Sequence, residues 1–129
     1  MKNRIDSRRA YLDAVHTAMT QAGFFPVLYA HLDDYEQGWF QWTPKQHAVN
    51  ESAWPAGLYV IWHHTMGWHY STDRDLDVRE PLPFTLAADP MDVADGVRRL
   101  LLGLTRDIPA STDDWAHAAS LTATPDGPR

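Results

Sequence analysis

The 129-residue chain has no cysteine, which removes disulfides, thiolate metal sites and cysteine nucleophiles together. That absence accords with a reducing compartment, and a cytoplasmic location is expected. No apolar h-region follows Lys2 and Arg4, and no run of about 18 apolar residues occurs, so neither a secretory leader nor a membrane span is expected. The seven glycines stand singly. Without Gly-x-Gly-x-x-Gly or a Walker-type run there is no backbone cradle for phosphate, and without Gly-x-Ser-x-Gly no nucleophile elbow. No internal repeat is present, which excludes a solenoid. Basic residues are also short: 11 Lys and Arg stand against 17 Asp and Glu, a net charge of −6. Binding to a nucleic-acid backbone needs clustered cations and is not expected.

What is present is an ordinary globular composition, 44% hydrophobic and 22% charged, with six Trp, five Tyr and four Phe to build an aromatic core. Residues 1–9 carry Lys2, Arg4, Arg8 and Arg9 against Asp6, so a basic arm precedes a body that holds −9. The expected organisation is this arm over 1–9, a single domain over 10–109, a short helix within 110–121 anchored by Trp115, and a disordered tail over 122–129.

Periodicity gives the elements. Leu12, Val15, Met19 and Ala22 line one helix face over 7–22, with Ser7 as cap and Gly23 as terminator. Two strands follow, 24–32 and 38–42, joined by the acidic turn 33–37, and then a loop over 43–57 that Trp54 tucks down. Leu58–Trp62 is the strongest strand, with Trp68–Thr72 as its hairpin partner. Prolines make 81–86 an edge strand. Asp89-Pro90 then caps a second helix carrying Val93, Val97, Leu100, Leu101 and Leu104. The fold class is therefore α+β: a small antiparallel sheet of four to five strands packed against two amphipathic helices, in the order α-β-β-β-β-(β)-α, plus a short C-terminal helix.

With Thr65-Met66-Gly67 as the hairpin loop, His63 faces His69, His64 faces Trp68 and Trp62 faces Tyr70. Leu58, Val60, Trp62, His64, Trp68 and Tyr70 then share the core face, and Tyr59, Ile61, His63, His69 and Ser71 the other. A turn at Thr65-Met66 alone would divide the two histidines between faces.

From Tyr11 to about Gly103 the chain resembles an uncharacterised domain family of actinobacterial proteins. The resemblance rests on the opening helix Tyr11-Leu12-Asp13-Ala14-Val15, the Leu58–Trp62 strand answered by Gly67-Trp68, and Asp89-Pro90 leading into Val93–Leu102. It implies a fold and a kind of source organism, not an activity.

Three readings of function follow. The first is a non-catalytic interaction or accessory module that binds a protein partner through exposed aromatics, with Trp39, Trp42, Trp54 and Tyr59 as binding residues. A homodimer through the sheet or that surface is a variant of it. The second is a metal- or small-ligand-binding protein, or an enzyme, with His63 and His69 as ligands, Asp73 or His31 as a third, and a concave site at the hairpin. No metal spacing of the His-Glu-x-x-His kind supports it. The third is an acidic inhibitor that imitates nucleic acid. Adjacent acids such as Asp33-Asp34 and Asp113-Asp114 read as turns and caps rather than acid–base pairs. No cofactor and no catalytic residue are expected.

Overall fold

A computed structural model describes residues 4–73 and 75–122. The expected tail falls outside these residues from 123 onward. Helix α1 (Arg4–Gln21) leads into five strands, β1 (Leu28–His31), β2 (Gln37–Trp42), β3 (Leu58–His63), β4 (Gly67–Ser71) and β5 (Glu80–Pro81), followed by α2 (Pro90–Leu101) and α3 (Ala118–Thr122). The sheet is antiparallel throughout, in the order β1-β2-β3-β4-β5. This is the α+β class expected. No described helix is long and apolar enough to cross a membrane.

Side-chain alternation divides the sheet into two unlike faces. On the front lie Gly38, Phe40 and Trp42 of β2, Leu58, Val60 and Trp62 of β3, and Trp68 and Tyr70 of β4, matched across strands by Gly38↔Trp62, Phe40↔Val60, Trp42↔Leu58, Val60↔Tyr70 and Trp62↔Trp68. The helices pack here. Tyr11, Leu12, Val15 and Met19 of α1 and Val93, Val97, Leu100 and Leu101 of α2 are fully buried against this layer. Gly38 lets α1 approach closely, since a Cβ there would lie 2.6 Å from Leu12 Cδ1 and the buried leucine would have to shift. The indoles also tie elements together through their N–H groups. Trp42 donates to the Phe24 carbonyl (3.0 Å), Trp54 to Leu100 (2.7 Å) and Trp62 to Leu86 (2.8 Å). A buried indole with a satisfied N–H contributes its whole ring area to the core without stranding a polar group.

Several boundaries differ from expectation, β1 starting at Leu28 rather than Phe24 and α2 ending at Leu101, short of Leu104. Helix α1 is already formed at Arg4, so Ser7 is an interior residue, almost wholly buried, rather than a cap, and Arg8 is buried too. Residues 4–9 are thus the first turns of a packed helix and not an arm. The C-terminal helix starts only at Ala118 because the preceding segment is occupied elsewhere: Ala88 bridges Asp114, Trp115 N–H donates to the Ala87 carbonyl, and the Asp92 carboxylate accepts from the amides of Thr112 and Asp113. Strand β5 is cut to Glu80–Pro81, as the prolines dictate.

The hairpin register also differs. Trp62 faces Trp68, Ile61 faces His69 and His63 faces Gly67, so His63 and His69 are not directly opposed. The loop is His64-Thr65-Met66, and Gly67, at φ +80°, is the first residue of β4. Two interactions set this offset. The backbone N–H of His64 donates to the Glu36 carbonyl (2.9 Å), which extends the β2–β3 ladder rather than the β3–β4 one. The His63 imidazole then caps the turn, its Nδ1 accepting from the amides of Thr65 (3.2 Å) and Met66 (3.3 Å). Both registers preserve parity, so His63 and His69 still share the back face.

Candidate functional site

No described helix lies over the back face. It comprises Leu28 and Ala30 of β1, Gln37, Trp39 and Gln41 of β2, Tyr59, Ile61 and His63 of β3, and His69 and Ser71 of β4. Ile61 is fully buried at its centre, between its cross-strand neighbours Trp39 and His69. Trp39, Tyr59, Gln37, Gln41, His63 and His69 around it are half-buried. The face carries no formally charged strand residue although the chain as a whole is acidic. Towards β1 it turns apolar and open, with Leu28 46% exposed and Leu32, just beyond the strand end, 44% exposed.

The four aromatic binding residues expected from the sequence therefore separate. Trp39 and Tyr59 lie together on this face, on neighbouring strands. Trp42 and Trp54 do not: Trp42 is fully buried on the front, stacked near Phe24, and Trp54 packs edge-on to Tyr70 with its N–H held by α2. As a binding patch, those two are corrected to core residues.

The expected metal set His63, His69 and Asp73 is likewise not brought together. Both carboxylate oxygens of Asp73 are engaged by its own loop, Oδ1 accepting from the Asp75 amide and Oδ2 from the Asp77 amide. His31 stacks on Tyr35 at the opposite edge of the sheet, with ring centroids 3.8 Å apart. Among the described residues the group whose donor atoms do converge is Glu36, His63 and His64, all within 4.8 Å of one another. Its hydrogen bonding does not suit a cation. His63 Nδ1 accepts from the turn amides, which places the ring proton on Nε2, 3.8 Å from Glu36 Oε1. Arg8 Nη2 donates to His64 Nδ1 at 3.0 Å and Nη1 to the Asp34 carbonyl at 3.3 Å, which likewise places the His64 proton on Nε2. To bind a metal through Nε2, both rings would have to reverse tautomer and abandon these donors, beside a guanidinium that repels the ion. The cluster instead joins α1 to the hairpin. Desolvation, followed by the neighbouring His64, lowers the His63 pKa below the usual histidine value, and Glu36 opposes this only in part.

A cavity of about 510 Å³ opens at the hairpin end of the back face. Gln37, His63 and His69 line it from the sheet, Met66 from the turn, and Leu76, Asp77 and Arg79 from the loop after β4. The concave hairpin site expected from sequence is thus present. Sequence reasoning misses the loop residues because 73–80 show no periodicity, and only the folded chain returns them over the strands. His69 Nδ1 is buried here with no hydrogen-bond partner among the described residues.

Against protein-family models, curated proteins and solved structures the chain finds no match. The functional reading therefore rests on the geometry of this face.

Proposed function

We propose that the chain is a non-catalytic interaction domain that binds a protein partner through the open back face of its sheet, with Trp39 and Tyr59 as anchors. The observation that carries this reading is the one-sided packing: every described helix lies on the front, while the back presents half-buried aromatic and amide side chains around Ile61. Tryptophan and tyrosine at the centre of a water-poor patch are the residues most enriched among those that dominate binding energy. Leu28 adds an exposed apolar side chain at the β1 end of the same face. Because the strand residues around Trp39 and Tyr59 carry no formal charge, the partner's contact surface is apolar and uncharged, and complex stability is little affected by salt.

The test compares capture of a partner from the native host by the wild type, by Trp39→Ser with Tyr59→Ser, and by Thr17→Ser on the exposed side of α1. One protein retained by the wild type and the α1 variant through washes of about 1 M salt, and lost by the face variant, is expected. Equal recovery by all three, or release by salt alone, refutes the reading. Self-association of the purified chain that is abolished by the same face variant would make the partner a second copy.

A further inference from the structure

The hairpin cavity differs in chemistry from the neutral face beside it. Its described lining contains one cation, Arg79, and one anion, Asp77, and among the described residues neither is ion-paired. Asp77 is exposed and Arg79 half-buried, and both line the same concavity without pairing with each other.

The described residues of the loop that presents them hold one another. Asp73 holds the amides of Asp75 and Asp77, and Ser71 Oγ accepts from the Asp73 amide at 2.9 Å. Leu76 is held at φ +62°, in the left-handed region that a branched side chain rarely adopts, and its side chain is nevertheless buried. Backbone strain of this kind persists only where its surroundings enforce it, and it gathers at ligand sites. What the strained residue achieves is visible in its carbonyl, which accepts from Arg79 Nε at 2.6 Å. That bond fixes the guanidinium by its inner nitrogen and leaves the outer Nη pair without an acceptor among the described residues. A guanidinium so fixed is arranged for the two-pronged contact that a carboxylate makes.

The remaining walls define the rest of a ligand. Asp77 in the same cavity disfavours a dianion and favours an ammonium group beside the carboxylate. Met66 and Leu76 offer apolar contact, and Gln37, His63 and His69 add polar side chains to the lining. The volume lies within the range of small-molecule sites. We infer that this cavity binds a free α-amino acid with an apolar side chain, its carboxylate on Arg79, its ammonium on Asp77 and its side chain against Met66 and Leu76. This does not rest on the protein-partner reading, since loss of one leaves the other standing.

Calorimetric titration of the full chain with L-phenylalanine, 3-phenylpropanoate and phenethylamine separates the contributions, because the last two lack the ammonium and the carboxylate respectively. L-Phenylalanine is expected to bind at least about tenfold more tightly than either. Arg79→Gln and Asp77→Asn are each expected to weaken it by about tenfold or more while leaving the amide NMR spectrum away from the cavity unchanged. No heat at about 10 mM L-phenylalanine, or equal affinity for 3-phenylpropanoate, overturns the assignment. So does unchanged binding by a folded Arg79→Gln. The wild-type comparison of the three compounds decides the matter even if a variant fails to fold.

Discussion

Tyr11→Phe removes one oxygen from the middle of the molecule, where that oxygen holds three elements. The Tyr11 hydroxyl donates to the Ala88 carbonyl at 2.6 Å and accepts from the Trp68 indole N–H at 3.3 Å, so a single atom links α1, the sheet and the segment before α2. Burial raises the hydroxyl pKa, which keeps the proton in place across the working pH range. Phenylalanine preserves the ring contacts with Trp62, Trp68 and Trp115, whose centroids lie 5.6, 6.1 and 5.2 Å away. The loss is therefore confined to polar terms. Each net hydrogen bond is worth about 1 kcal/mol, and a buried group left without a partner costs about 1–3 kcal/mol. Because the indole bond is long and contributes less, the expected destabilisation is about 2–4 kcal/mol, or a fall of about 10 °C in melting temperature. Urea unfolding with an unchanged slope measures it. Tyr70→Phe serves as the comparison, since its half-buried hydroxyl makes no hydrogen bond among the described residues and should change stability by less than about 0.5 kcal/mol. If Tyr11→Phe lies within about 0.5 kcal/mol of wild type, the hydroxyl is not the tie described and the reasoning fails.

Gly96→Ala in α2 sets propensity against space: alanine favours an interior helix position by about 1 kcal/mol, but its Cβ would lie 2.3 Å from Phe84 Cζ and 3.2 Å from Ile108 Cγ2. A buried ring cannot yield cheaply, so overpacking of about 1–3 kcal/mol wins and thermal unfolding should show a net loss; a stabilised variant would contradict the packing. For pH, the lowered pKa of His63 means that the unfolded chain, at about 6.5, binds its proton more readily than the folded one. The contribution of His63 is thus fully present above about pH 6.5 and is lost as pH falls through the lowered folded value. An NMR titration in which His63 protonates above 6.5 would reverse the sign.

Much of the fold is legible in the sequence, and the failures are of specific kinds. Alternation along Leu58–Trp62 and Trp68–Tyr70 decides which side chains share a face, and those assignments hold. It does not decide the offset, because moving one strand by two residues leaves every face unchanged. The offset comes from His63 capping its own turn, a contact that no spacing announces. Grouping Trp39 with Trp42 is an error of another kind, since strand parity already argues against it. The two stand three apart in a single strand and so cannot share a face. Trp54 is legible as the aromatic that tucks its loop down, and the error lies in counting it also among the exposed binding residues; that it docks on the Leu100 carbonyl, in a helix far along the chain, no period in its loop announces. For the same reason no pattern places Arg79 and Asp77 over His63 and His69.

The order of the strands has a consequence for how the molecule assembles. Each strand pairs with the one before it in sequence, so the sheet is a meander whose ladders all close over short stretches of chain. Such pairings need little loop-closure entropy and can form quickly, in any order. What they cannot do alone is bury the front face, because its cover is divided between the first helix and the last two. Sealing the core requires α1 to meet α2 and α3 across the whole intervening sheet. The slow event in folding this chain is therefore the meeting of its helices, and until it happens the most aromatic surface in the molecule is open to other chains.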